Sequence, residues 1–207
     1  KVRTFGDGDI HIVALDCGMK ENIIRCLLEK NAKVTVVPYD YDFRQMDYDG
    51  LFISNGPGNP DMCTKTIYNI REAMNGEKPI FGICLGNQLL AKAADIQTYK
   101  MKFGNRGQNQ PVIDLLTNKV FISSQNHGYA VSNESLTEDW KPYFINANDG
   151  TNEGIMHKHK PFFGVQFHPE ARGGPYDTEY LFDNFLTNCQ KVKENKKTDF
   201  YINTNYS

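Results

Sequence analysis

The tightest constraint on how this chain can fold is the run Phe81-Gly82-Ile83-Cys84-Leu85-Gly86-Asn87-Gln88-Leu89-Leu90-Ala91. Pro79 to Ile83 is a proline-led apolar run of strand length, and the apolar positions from Leu85 to Ala94 follow with helical spacing. Cys84 therefore falls in the turn between strand and helix. Gly82 and Gly86 flank it at the spacing of a nucleophile elbow, a strained strand-to-helix turn that lifts one side chain above a sheet. A Cβ at either glycine would collide with neighbouring backbone in such a turn. Unpaired amides and the positive end of the dipole at a helix start favour a thiolate. The spacing makes Cys84 a candidate nucleophile, whereas a lone cysteine without this setting reads as a small core residue. A base elsewhere in the chain must decide between the two.

The first half alternates strand and helix. Ile10 to Leu15 is a continuous β-prone run, followed by the turn Asp16-Cys17-Gly18 and a helical pattern from Met19 to Asn31. Lys33 to Val37 and Leu51 to Ser54 are further strands, and Thr64 to Met74 is a crossover helix. This order predicts a parallel sheet covered on both faces, with sites at the carboxyl ends of its strands. Cys17 and Cys26, at a turn and on a helix's apolar side, read as structural. After the third strand, Ser54-Asn55-Gly56-Pro57-Gly58-Asn59-Pro60 holds two glycines and two prolines. Alone it is an ordinary surface turn, but one crossover before the elbow it can present backbone N–H groups to an oxyanion.

Beyond the elbow helix the pattern changes. Thr98–Phe103, Val112–Leu116, Val120–Ser124, Tyr129–Val131, Tyr143–Ala147, Gly154–His157 and Phe162–Phe167 are short β-prone segments parted by Gly, Asn and Asp, as in antiparallel strands and hairpins. Glu179 to Val192 is a closing amphipathic helix. One domain over residues 1–192 is expected, with a Lys- and Asn-rich, linker-like tail over 193–207. At 207 residues the chain is long enough for a sizeable core. Its net charge of −2 gives no field favouring nucleic acid or an anionic membrane. No apolar run has membrane-spanning length and no signal-peptide pattern opens the chain, so a cytoplasmic location is expected. The five cysteines, at 17, 26, 63, 84 and 189, lack the paired spacing of a zinc site or disulfide framework. Lys1 is preceded by no methionine, as in a piece of a longer chain.

Among the histidines at 11, 127, 157, 159 and 168, His168 is the candidate base. It ends an apolar strand, is followed by Pro169, and has Glu170 two residues on. The carboxylate can accept from one ring nitrogen and so select the tautomer that takes a proton from sulfur. That is nucleophile–base–orienter logic in the order Cys84, His168, Glu170. His127, in Gln125-Asn126-His127-Gly128-Tyr129, is an alternative base without a following carboxylate, and its flanking amides look built for a polar ligand. His157 and His159 form a His-x-His pair without acid or thiol neighbours, so they read as solvent-facing and no metal site is expected. His11 belongs to the first strand.

Gly-Ile-Cys-Leu-Gly-x-Gln, Ser-Asn-Gly-Pro-Gly-Asn-Pro and Gln-Phe-His-Pro-Glu together resemble the class I glutamine amidotransferases and their Cys-His-Glu triad. The stretch from Tyr99 to Pro111, Gln125-Asn126-His127-Gly128, Asn148-Asp149-Gly150 and Pro175-x-Asp177 are similar to the glutaminase domain of carbamoyl-phosphate synthetase, especially its eukaryotic fused forms. The resemblance implies a flavodoxin-like α/β fold and hydrolysis of the glutamine side-chain amide. It implies that ammonia passes to a carbamoyl-phosphate synthetase domain or subunit of the pyrimidine or arginine/urea pathway. It further implies no cofactor in this domain, with ATP, bicarbonate and magnesium used only by the synthetase. By position it assigns the oxyanion hole to Gly58 and Leu85, and substrate contacts to Gly56, Gly58, Leu85, Gln88, Asn126, Gly128 and Tyr129. Two departures stand out. Asn87 occupies a place usually held by histidine and is expected to tune activity, and the given sequence is expected to lack the amino-terminal domain that precedes the glutaminase half in the family. The competing readings are an amidotransferase of GMP, CTP or anthranilate synthesis, and a catalytically impaired regulatory or scaffolding domain that docks to a synthetase.

Overall fold

The computed structural model describes residues 1–170 and 178–195, and of 104–109 the backbone only. The motif at 173–177 and the tail beyond 195 lie outside the described residues, as do the side chains of the 105–109 stretch. The strands are β1 (Arg3–Phe5), β2 (Ile10–Asp16), β3 (Ala32–Pro38), β4 (Gly50–Ile53), β5 (Ile80–Ile83), β6 (Thr98–Asp114), β7 (Lys119–Val131), β8 (Trp140–Asn146), β9 (Asn152–His157) and β10 (Phe162–Val165). The helices are α1 (Glu21–Glu29), α2 (Thr64–Ala73), α3 (Leu85–Ala93) and α4 (Tyr180–Lys193).

All described strands join one sheet in the order β1-β3-β2-β4-β5-β10-β9-β8-β6-β7. The centre, β3-β2-β4-β5-β10, is parallel. β1 adds antiparallel at one edge, and β9, β8, β6 and β7 extend the other edge antiparallel. The expected mixed α/β architecture is therefore the observed one. The central strands are buried along most of their length, as a sheet covered by helices requires. Along β5 the period of two is visible: Phe81 and Ile83 enter the core shared with α1 and α4, while Ile80 enters the opposite core, shared with α2 and α3. Phe81 is the centre of the first core, 4.5 Å from Phe163, 5.5 Å from Phe182, 5.6 Å from Phe52 and 5.7 Å from Phe185 between ring centroids. α1 buries Ile23, Cys26 and Leu27, one face at the helical repeat, and Asn31 at φ 63° closes the turn that follows it.

The structure departs from the sequence reading in the second half. The segments expected at 98–103 and 112–116 are one long strand, β6, and those at 120–124 and 129–131 are one strand, β7. The intervening Gly and Asn residues are not breaks. They coincide with shifts in register between Lys100 and Asn105 and between Gly107 and Gln110, where the ribbon absorbs irregular residues without losing its partner. β1 was not anticipated, since three residues carry no periodicity. His157 is also corrected: it is buried rather than solvent-facing, because its Nδ1 accepts the backbone N–H groups of His159 and Lys160 and its ring meets Trp140 edge-on at 5.2 Å.

Candidate active site

The carboxyl ends of β2, β4, β5 and β10 converge where the strand order reverses, and the candidate site lies there. Cys84 sits between β5 and α3 at φ 56° and ψ −108°, the strained geometry expected of an elbow. Its flanking glycines are required by contact. A Cβ on Gly82 would lie 2.4 Å from the Gly86 carbonyl oxygen, and one on Gly86 would lie 2.0 Å from that of Ile53. The Cys84 N–H donates to Val165 O at 2.8 Å, tying the turn to β10. The sulfur is 3.8 Å from Asn126 O and accepts from Gln166 Nε2 at 3.6 Å.

β10 leads directly to His168, whose ring is buried and whose Nδ1 pairs with Glu170 Oε1 at 3.0 Å. Burial alone would lower the His168 pKa, but hydrogen bonds to Cys84 and Glu170 outweigh it and raise it from 6.5 to about 9. That direction favours the imidazolium at neutral pH. The structure thus brings Cys84, His168 and Glu170 into one chain of contacts. His127 does not compete for the sulfur, since its Nδ1 engages Tyr129 O at 2.9 Å and its Nε2 engages Gln125 Oε1 at 2.7 Å.

A cavity of about 530 Å³ opens over Cys84 and His168. Its wall includes Gly56, Gly58, Leu85, Gln88, Asn126, Gly128 and Tyr129, so every expected substrate contact is brought together. Gly56 is pressed against β2's exit, where a Cβ would lie 1.9 Å from Cys17 O, and Gly58 adopts φ +103° with open space around it. Glu170 stands behind His168, outside the lining. Asn87 is fully buried on the side of α3 that faces the sheet, against Gly164, and neither of its amide atoms has a hydrogen-bond partner among the described residues. Gln125, expected beside a polar ligand, is instead buried and bonded to Ser123 and Glu153.

Three features escaped the sequence reading. Gln166, on the strand end before His168, donates to the sulfur and accepts from Gln88 Nε2 at 3.1 Å, while Gln88 also donates to Tyr129 O at 3.0 Å. Lys20 and Lys100 line the cavity, and no carboxylate among the described residues does, which suits an anionic group on a ligand. Gln166 lies inside the motif that identified His168, so its position was the available signal; the lysines had none, because Lys100 reaches the site through β6–β7 pairing. Burial pushes the Cys17 and Cys26 thiols up to about 12, in keeping with their structural reading. No cluster of potential metal ligands occurs among the described residues.

An open α/β sheet carrying a cysteine elbow beside a His–Glu pair at its switch point defines an amidotransferase-like α/β protein. The chain belongs to the class-I glutamine amidotransferase family, whose family model, "Glutamine amidotransferase class-I", matches residues 13–188. It is 51% identical over 211 residues to the carbamoyl phosphate synthase arginine-specific small chain of Saccharomyces cerevisiae, covering 98% of this chain and 51% of that one. It is 54% identical over 189 residues to the protein of the same name in Candida albicans, covering 89% of this chain and 44% of that one. The chain therefore spans about half the length of these curated relatives. Among solved structures, a putative GMP synthase protein of Thermoplasma acidophilum superposes with a TM-score of 0.79 at 26% identity, covering 91% of this chain and 98% of that one. A glutamine amidotransferase of Thermotoga maritima, at 21% identity and a TM-score of 0.65, shares the fold, covering 92% of this chain and 87% of that one.

Proposed function

We propose that this chain hydrolyses glutamine to glutamate and ammonia through a Cys84–His168–Glu170 triad, and that the ammonia is delivered to a carbamoyl-phosphate synthetase domain or subunit serving the arginine or pyrimidine pathway. The observation that carries the reading is the buried ring of His168, paired with Glu170 at 3.0 Å and lining the same cavity as Cys84. A positive ring beside sulfur lets it attack as the anion. In the proposed cycle the sulfur adds to the δ-carbonyl of glutamine, and the oxyanion is met by the N–H groups of Gly58 and Leu85. His168 gives its proton to the leaving nitrogen, and ammonia departs from a glutamyl thioester. Neutral His168 then takes a proton from water, which attacks the thioester and frees glutamate. Glu170 keeps the Nδ1 side of the ring paired throughout.

The cationic lining of Lys20 and Lys100 supports an amino-acid substrate, whose α-carboxylate needs a positive partner. The names of the relatives support the synthetase partner. ATP, bicarbonate and magnesium belong, in this reading, to that partner.

A second reading, a docking domain with impaired catalysis, is favoured by Asn87, whose buried amide is unpaired among the described residues. In the proposed function Asn87 tunes turnover or coupling from beneath α3. Both readings are separated by measuring glutamate release and carbamoyl-phosphate formation with the cognate synthetase added, for the wild type and Asn87→His. Glutamine-dependent synthesis, with turnover or coupling changed by roughly three- to tenfold in Asn87→His, is the expected result. Synthesis from free ammonia but not from glutamine would establish the docking reading. Identical rates in the two proteins would remove the role given to Asn87.

A further inference from the structure

A buried chain of polar groups that the proposed cycle does not use runs from β9 to the cavity wall. Glu153 on β9 is fully buried, and its Oε2 is 2.7 Å from Gln125 Nε2. Gln125 Oε1 is 2.7 Å from His127 Nε2, and His127 Nδ1 is 2.9 Å from Tyr129 O. Gln125 and His127 are both buried on β7, and His127 lines the cavity together with Asn126, Gly128 and Tyr129. The chain ends on Tyr129, whose carbonyl also accepts from Gln88, one of the cavity residues.

Proton counting restricts this chain. A carbonyl oxygen can only accept, so the bond to Tyr129 requires a proton on His127 Nδ1. If Glu153 is a carboxylate, Gln125 must turn its NH₂ toward it and its oxygen toward His127. Then Nε2 must carry a proton as well, and His127 is an imidazolium. If Glu153 is a carboxylic acid, it donates to Gln125 Oε1, the Gln125 NH₂ donates to His127 Nε2, and the ring is neutral. The two arrangements differ by a turn of one amide, and with it of the Ser123 hydroxyl, which accepts from the Gln125 NH₂ and donates to Gln110 O in the first and gives its proton to Gln125 Oε1 in the second. In both, one titratable proton is shared by Glu153 and His127. With none, either Nδ1 or Nε2 lacks its proton and a bond fails; with two, an N–H of Gln125 is aimed at an N–H of the ring.

We infer that Glu153 is a positioning residue for substrate binding: it shares a single proton with His127 through Gln125, and that proton holds the Asn126–Tyr129 wall of the cavity in its binding form. The inference rests on the glutaminase reading for its substrate. Burial lowers the pKa of His127 and raises that of Glu153 to about 8, with Gln125 opposing the second shift, so burial favours the arrangement with the proton on Glu153. Asp149 and Asn146 also face Glu153, and Asp149 and His168 face His127, which places the second carboxylate and the site imidazolium among the groups that set this balance. The remaining Glu153 oxygen, Oε1, lies 4.0 Å from His127 Nε2, so the two titratable ends of the chain also face each other directly.

Above pH 8 the proton leaves. Gln125 then turns its NH₂ to the carboxylate, His127 moves its proton to Nε2, and the bond to Tyr129 is lost. The test is the pH dependence of the glutamine KM in the full protein, compared with Glu153→Gln. A glutamine side chain at 153 donates to Gln125 as the acid does and has no proton to lose. In the wild type the KM is expected to rise roughly tenfold between about pH 7 and pH 9.5, the equivalent of one hydrogen bond of about 1.4 kcal/mol. In Glu153→Gln the rise disappears, whereas Glu153→Leu has a raised KM throughout. Histidine ¹⁵N resonances give a readout independent of turnover: the Nδ1–H form of His127 gives way to Nε2–H near pH 8 in the wild type and persists in Glu153→Gln. A resonance shift without any glutaminase activity would uphold the proton relay and sink the glutaminase reading. Equal pH profiles in wild type and Glu153→Gln, or a His127 tautomer indifferent to both pH and the substitution, would overturn the inference.

Discussion

Gly86 shows how much of the site a single residue fixes. Its missing Cβ is what lets α3 begin against β4, for an added carbon would stand 2.0 Å from the Ile53 carbonyl oxygen, a backbone atom without freedom to yield. Gly86→Ala is expected to cost about 3 kcal/mol of stability by overpacking and to displace Cys84. Urea unfolding measures the first effect, and an unchanged midpoint would contradict it. This glycine was legible in the sequence because the elbow's stereochemistry is local. So was the Cys84–His168–Glu170 set, since an elbow and a strand-end His-Pro-Glu each carry their own spacing. Gln166, Gln125 and Glu153 were not legible as a network, because a side-chain chain across β7, β9 and the end of β10 depends on register that no single segment encodes.

At the scale of elements, the parallel half was readable and the antiparallel half was not cut correctly. β2, β3, β4 and β5 are β-prone, mostly apolar runs between turn residues, so their limits follow from composition. β6 and β7 pass through Gly and Asn residues that read as breaks, yet pairing with each other overrides the local preference. β5 carries the most consequence, because Phe81 packs the core while the strand's end presents Cys84. Phe81→Ala leaves a cavity among Phe52, Phe163, Phe182 and Phe185 and is expected to cost about 3–5 kcal/mol. Calorimetry or urea titration checks it, and a loss near that of an exposed substitution such as Tyr68→Ala would place the core elsewhere.

The whole molecule is linked to pH through two buried groups. The folded pKa of His168 lies above its ordinary 6.5, at about 9, so the stability it contributes is complete below 6.5 and lost as pH rises through 9. Glu153 is raised from 4.5 to about 8, so the folded chain keeps a proton the unfolded chain has released, and stability falls as pH climbs through that range. Both contributions decline between pH 6.5 and about 8, and that of His168 on to about 9. The urea midpoint is therefore expected to be lower at about pH 9.5 than at 6.5, with a smaller fall in Glu170→Gln, where His168 loses one of the partners that raise it. A midpoint that rises with pH over this interval would refute the assignment. The fold's two layers of helices and its switch-point site followed from the order of elements, while the electrostatics required the assembled sheet.

Trapping a covalent intermediate between Cys84 and glutamine is the most direct measurement of the proposed chemistry. The full protein is mixed with glutamine, quenched in acid within the first turnover, and weighed as intact chain and as the peptide containing residue 84. A glutamyl adduct is expected on Cys84, absent in Cys84→Ser and accompanied by release of one ammonia per adduct. Glutamate release at the wild-type rate from Cys84→Ser, or an adduct on another residue, would contradict it.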